Sequence, residues 1–199
     1  MPKLLTVSVG RAAPLLAQAW DGGTRRVASA IRKSPVGGAV AVGVVGLDGD
    51  EQADLTVHGG QDKAVYVYPV EHYAFWETVR GQAGVGGALP HGALGENLTV
   101  SGLLEPQGWV GDRLRVGEVE LVVTQPRSPC YKFNAHFGFA WAAKMMVQSG
   151  YTGFYCAVVR PGKLAAGDQI DVVAGERAVS IEQAHRLKSR GTASRSFLG

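Results

Sequence analysis

A cysteine set between prolines and cations is the feature of this sequence best suited to chemistry: Gln125-Pro126-Arg127-Ser128-Pro129-Cys130-Tyr131-Lys132. It follows the apolar run Leu121-Val122-Val123-Thr124, which reads as a strand. Proline fixes φ and has no amide hydrogen for a ladder, so the two prolines end the strand and place Cys130 on a rigid loop. Arg127 and Lys132 flank it, and nearby positive charge favours thiolate over thiol, the form that binds metals and attacks electrophiles. The alternative is a half-buried structural thiol in a turn. An inert cysteine needs neither the proline clamp nor the two cations, so the loop composition favours the reactive reading.

Polar groups also stand at other points where the chain changes direction. Lys33 and Ser34 close a strand read over 27–34 and stopped by Pro35; an amine and a hydroxyl there suit an anionic ligand, or a solvated strand end. His58 precedes Gly59-Gly60, a pair that lets the backbone approach a ligand closely. Its imidazole could bind substrate, contact a cofactor or satisfy a loop carbonyl. Glu96 and Asn97 interrupt the apolar approach to a strand ending at Val100, as turn formers or as cofactor contacts. The spacing Gly43-x-x-Gly46-x-x-Gly49 resembles a nucleotide loop, but Asp48, Asp50 and Glu51 put carboxylates where a phosphate needs amides. That segment is read as a turn.

These groups must be positioned by a chain of 199 residues, 46% hydrophobic and 19% charged, enough for one ordinary domain with a real core. A net charge of +3 argues against nucleic acid or membrane as a partner held by bulk charge. Two cysteines without Cys-x-x-Cys spacing make no disulfide framework, and no apolar run approaches the roughly 20 residues of a membrane span. The start of the chain lacks the pattern of a signal peptide, so the expected location is the cytoplasm, with reduced thiols. The 28 glycines predict many tight turns between short strands.

Along the chain, the pattern predicts a strand over 4–9, a loop around Pro14, a fully buried strand over 40–45 and an alternating strand over 65–68. A helix follows over 69–79, a glycine-rich loop over 81–92, a hairpin over 112–123 and a helix over 137–149. A strand over 156–159, a turn over 161–163 and a last strand over 169–173 complete the main body. The expected fold is mainly β, within the α+β class: a barrel-like domain over 1–174 with helices at its margins. The stretch 175–199 reads as a short helical tail, carrying five basic residues against Glu176 and Glu182.

The motif around Cys130, with His58-Gly59-Gly60, Gly95-Glu96-Asn97-Leu98 and Lys33-Ser34-Pro35-Val36, resembles the MOSC family, in its YiiM-like bacterial branch. The resemblance covers about residues 20–174. It implies a closed β-barrel, a molybdenum cofactor (molybdopterin with Mo) and the reduction of N-hydroxylated compounds, such as hydroxylated nucleobase analogues or amidines. By the same resemblance Cys130 is the thiolate on molybdenum, and Lys33, Ser34 and Arg127 hold the cofactor's phosphate and pterin edge. Asn97 and Ser128 complete the pocket, and His58 lies where cofactor or substrate approaches, making it the second catalytic candidate. Lys63, Lys132 and Asn134 are peripheral candidates. No flavin, iron–sulfur or nicotinamide motif is present, so a separate reductase is the expected electron donor, and a homodimer is allowed. The branch commonly carries a three-helix extension, of which only 179–190 matches a first helix. Two rivals stay open: a non-catalytic carrier of the cofactor or its sulfur, and a metal-free anion-binding module.

Overall fold

Strict alternation along one strand, β7 (Val65–Pro69), organises the interior. Val65 and Val67 point to one side and Tyr66 and Tyr68 to the other, as the two-residue period of a strand requires, and all are buried. The valine side belongs to an aliphatic cluster with Leu4, Leu98, Leu121, Val123, Phe154 and Leu164. The tyrosine side belongs to an aromatic cluster with Trp76, Phe133, Phe137 and Met146. The computed structural model describes residues 1–18, 22–53 and 59–195, with side chains to 190.

The first cluster is walled by an eight-stranded sheet. It contains β7 together with β1 (Lys3–Val9), β4 (Ser34–Val36), β8 (Leu98–Ser101), β9 (Arg113–Val116), β10 (Val119–Pro126), β11 (Phe154–Arg160) and β13 (Ile170–Val173). Its order is β13-β9-β10-β11-β7-β8-β1-β4. All pairs are antiparallel except β7–β8, which the crossover through helix α1 (Tyr73–Gln82) makes parallel. Two small sheets flank it: β2 (Ala13–Gln18) with β3 (Thr24–Ser29), and β5 (Val40–Gly43) with β6 (Gly46–Leu47) and β12 (Gly162–Leu164). Helices α1, α2 (Tyr131–Phe137) and α3 (Ala142–Ser149) cover the aromatic cluster.

The fold is therefore mixed α+β; among the described residues the continuous ladders stop short of the closed barrel expected from the sequence, and only an isolated antiparallel bridge, Lys3 with Gln169, joins β1 to the start of β13. The sheet curls far enough for the Leu4 amide to donate to Asp168 O at 2.9 Å and the Ile170 amide to Pro2 O at 3.0 Å. At its other end β4 is only three residues long, with Pro35 opposite Ser8. Lacking an N–H, Pro35 makes a natural edge.

Other expectations also change. The 40–45 run is not a fully buried strand: Val42 is buried and Val40 packs partly against the core, while Val44 and Val45 are 47% and 70% exposed, because β5 belongs to a small outer sheet. The region around Pro14 is not a loop but the exposed strand β2. The helix expected over 137–149 begins only at Ala142, as α3; Phe137 instead ends α2, which Gly138 closes at φ 87°. Residues 162–164 form β12 rather than a turn. The tail forms helix α4 (Ile181–Arg195), anchored by fully buried Ile181, whose amide donates to Gly108 O at 2.8 Å. No helix among the described residues is long and apolar enough to cross a membrane.

The turn into β8 is fixed by Glu96, which has no exposed surface. Its carboxylate accepts from the Gly92 amide at 2.9 Å, the Leu94 amide at 3.0 Å, Thr99 Oγ1 at 2.9 Å and the Tyr73 hydroxyl. Removing it would orphan four buried donors, each costing about 1–3 kcal/mol if left unmet. Glu96→Ala is expected to lose at least about 3 kcal/mol in urea denaturation, with Glu96→Gln losing less. A loss below about 1 kcal/mol would assign the turn to another group.

Candidate functional site

Strand β10 runs two residues past the point where the sequence placed its end, and Pro126 still lies opposite Phe154 on β11. A register shift between Val123 and Gln125 bends it there. The chain then turns through Arg127-Ser128-Pro129 and begins α2 immediately after Cys130, whose φ of −127° and ψ of 178° are extended. Cys130 is thus half-buried between a strand end and a helix start. The second cysteine, Cys156, faces the aliphatic cluster, where burial pushes its thiol pKa far up.

Arg127 turns inward and is only 7% exposed. Its guanidinium lies 4.8 Å from the Tyr66 ring centroid and 4.9 Å from that of Phe133, and it donates to Leu94 O. No described carboxylate forms an ion pair with it. Gly95, beside the accepting carbonyl, holds a φ of 84° and lets Ile31 pack close, since a Cβ there would lie 2.9 Å from Ile31 Cγ1 and 3.2 Å from Ile31 O.

The second buried cation is Lys33, and it does have a partner. Its ammonium meets the Asp50 carboxylate, with both side chains under a tenth exposed. Asp50 also accepts from the Gly10 amide at 2.7 Å and from Asn97 Nδ2 at 2.8 Å. Asn97 in turn accepts from the Tyr66 amide at 3.1 Å, tying this network to β7. Burial lowers the Lys33 pKa, an effect that Asp50 opposes.

These groups share one cleft of about 110 Å³. Of the residues singled out in the sequence, Lys33, Asn97, Arg127, Ser128 and Cys130 line it, as do Lys63 and Lys132. Ser34 does not; it is exposed on β4. Asn134 instead serves α3, accepting from the Ala143 amide at 2.7 Å. His58 lies outside the described residues. The sequence reading missed Asp50, dismissed as part of a turn, and the tyrosines Tyr66 and Tyr155. Alternation in β7 could have flagged Tyr66 as the face opposite the valines. Nothing local flags Asp50, whose partners come from segments 17 and 47 residues away.

Chemically, the cleft offers one soft sulfur donor beside a buried positive charge that forms no ion pair with an acid among the described residues. Among the described residues no group of three or more His, Cys, Asp or Glu could hold a metal ion. A metal here would need ligands of its own besides Cys130.

A family model described as MOSC domain matches residues 54–171. The chain belongs to the MOSC family. It is 40% identical over 156 residues to YiiM of Escherichia coli (strain K12), covering 78% of this chain and 69% of that protein. The crystal structure of YiiM from Geobacillus stearothermophilus superposes with a TM-score of 0.75 at 29% identity, covering 96% of this chain and 85% of that one. A protein of Gibberella moniliformis (strain M3125 / FGSC 7600) named Reductase is 32% identical over 148 residues, 74% of this chain but only 26% of that protein. The chain is thus a YiiM-like member of the family. MOSC domains in general are associated with molybdenum cofactor binding.

One consequence of the cationic surroundings is testable through His136. Its Nε2 is 2.8 Å from Ala93 O, and its Nδ1 is buried without a partner. Burial lowers its pKa below the ordinary 6.5, assisted by Arg127, Arg32 and Arg80 and opposed by the bond to Ala93. Below pH 6.5 the unfolded chain therefore binds more protons at this site than the folded one, and stability falls as pH falls. Unfolding free energies measured at pH 7, 6 and 5 should drop more steeply for the wild type than for His136→Gln. Parallel curves would remove His136 as the cause.

Proposed function

We propose that this MOSC protein is a molybdenum-cofactor-dependent reductase of N-hydroxylated compounds, hydroxylamine-type nucleobases or amidines. The observation that carries the reading is the buried guanidinium of Arg127, without an ion-paired carboxylate among the described residues, in the same cleft as the Cys130 thiol. Desolvating a cation without a counter-charge is costly, so such a site is suited to a ligand that brings its own anion. Arginine is apt for a phosphate because its planar fork can offer two charge-assisted hydrogen bonds. The residues present suit a molybdenum cofactor: a cation for its phosphate and one soft sulfur for a metal that arrives with sulfur ligands.

In this reading Cys130 holds the metal as thiolate, and Arg127 holds the phosphate. Asn97 and Ser128 contribute polar contacts along the cleft wall. Lys33, clamped and balanced in charge by Asp50, adds a fixed ammonium donor with little freedom to move. The cofactor, when bound, would supply the two-electron chemistry that reduces an N–O bond. The overall change is balanced: R–NH–OH, two electrons and two protons give R–NH₂ and water. The electrons come from a separate reductase. The chain's own work is to seat both reactants and to stabilise the negative charge that gathers on the departing oxygen. His58 remains a candidate for contacting substrate.

The test uses protein made in a host that synthesises the cofactor. Wild-type protein is expected to retain molybdenum and to reduce an N-hydroxylated amidine or base with a chemical reductant. Cys130→Ala should lose both. Arg127→Met should weaken cofactor retention by about 10- to 100-fold, the scale of lost charge-assisted hydrogen bonds. Molybdenum retained without turnover would replace the reductase reading with that of a carrier, and full turnover by Cys130→Ala would remove the proposed metal ligand.

A further inference from the structure

The aromatic layer beneath the cleft contains tyrosines whose hydroxyl groups are spent on the fold. Tyr66 donates to Thr152 O at 2.7 Å, Tyr68 to Tyr151 O at 3.0 Å, and Tyr73 to Glu96. Tyr155 differs. It sits on β11 opposite Tyr66 and Gln125, and its ring packs on that of Tyr66 with centroids 5.0 Å apart. It lines the same cleft as Cys130 and Arg127, both close enough to influence its phenol electrostatically. Yet among the described residues its hydroxyl makes no hydrogen bond, Thr124 Oγ1 donating to the backbone carbonyl of Tyr155 instead, and the hydroxyl is not among the sealed polar atoms of the interior. Strand alternation explains its placement: Phe154 and Cys156 face the aliphatic cluster, so Tyr155 must face the cleft side.

A hydroxyl kept out of the internal hydrogen-bond network, in a cleft, is available to a ligand. Its chemistry also selects the kind of ligand group. Burial raises the phenol pKa, so Tyr155 stays an O–H donor at neutral pH. Arg127 is matched to an anion; a neutral donor is matched to the uncharged oxygen of an N–OH group, which gains negative charge as its bond to nitrogen breaks. Building on the reductase reading above, we infer that Tyr155 contacts the substrate, donating a hydrogen bond to the oxygen of its N–O group. Tyr155 keeps its own proton throughout; the two protons of the reaction come from solvent, and the two electrons come from the separate reductase. The hydrogen bond strengthens as the oxygen becomes more negative, which lowers the barrier rather than merely tightening binding.

The experiment compares Tyr155→Phe with Tyr66→Phe in molybdenum-loaded protein. Tyr155→Phe should melt within about 1 °C of the wild type, because no internal bond is lost, whereas Tyr66→Phe should melt about 2–4 °C lower. Both variants should retain molybdenum. Tyr155→Phe should reduce kcat about tenfold on N-hydroxylated substrates, with kcat/KM falling in parallel and KM little changed. If Tyr155→Phe melts several degrees below the wild type, the hydroxyl serves the fold and the inference is overturned. Wild-type turnover with kcat unchanged in Tyr155→Phe overturns the inference alone, and a loaded wild-type protein without turnover overturns the reductase reading along with it.

Discussion

A guanidinium buried among aromatic rings, with no ion-paired carboxylate among the described residues, is the constraint to which the middle of this molecule is fitted. Removing a cation from water costs several kcal/mol, and Arg127 recovers part of that from two ring faces and one carbonyl. Each of those three contacts requires something specific of the chain. Tyr66 must fall on the opposite side of β7 from Val65 and Val67. Phe133 must come round one turn after Cys130, which follows from starting α2 directly after the Pro129-Cys130 corner. Leu94 must present its carbonyl in a turn that only a glycine at 95 permits and that Glu96 ties together. The strand, the helix and the turn are packed around one charge.

Lys33 shows the other way to bury a cation. Asp50 cancels its charge locally, and the Gly10 amide and Asn97 complete that carboxylate's partners, so the pair is close to neutral and rigid. The cleft therefore has an uneven field, nearly neutral on the β1–β4 side and positive beside Cys130. Of the two buried cations only Arg127 is without an ion-paired carboxylate among the described residues, although the sequence makes the two look equivalent. Overall charge is irrelevant to this; +3 spread over 199 residues sets no such gradient.

Local signals in the sequence carried most of the strands and the central loop. Alternation marked β7, β9 and β10, and the prolines with flanking cations marked the Cys130 corner before any partner was known. What stayed hidden depends on distant pairing. The run over 40–45 is as apolar as any core strand, but β5 joins β12 in an outer sheet, and nothing within six residues could disclose that. Gly138 splits a stretch rich in helix formers because it takes φ 87°, which composition does not specify. Asp50 looked like turn chemistry because its neighbours are glycine and acid; its role appears only when Lys33 and Asn97 arrive from elsewhere in the chain. The resemblance to MOSC proteins supplied the family, but not the place of Ser34 outside the cleft.

The same alternation that builds the interior also separates inert from reactive groups. On β11, Cys156 faces the aliphatic cluster and Tyr155, one residue earlier, faces the cleft. On β7, the valines fill the core while Tyr66 supports Arg127. A one-residue slip of either strand would exchange these faces, placing a phenol in the aliphatic core and, for β11, a thiol in the cleft. Packing opposes that slip strongly, since Val65, Phe154 and Cys156 have no exposed surface and no room for a larger or polar replacement. Site geometry in this fold is thus protected by the hydrophobic core itself. Substitutions far from the cleft that loosen the β7–β11 pairing should therefore disturb the site through register, before any of its own residues is changed.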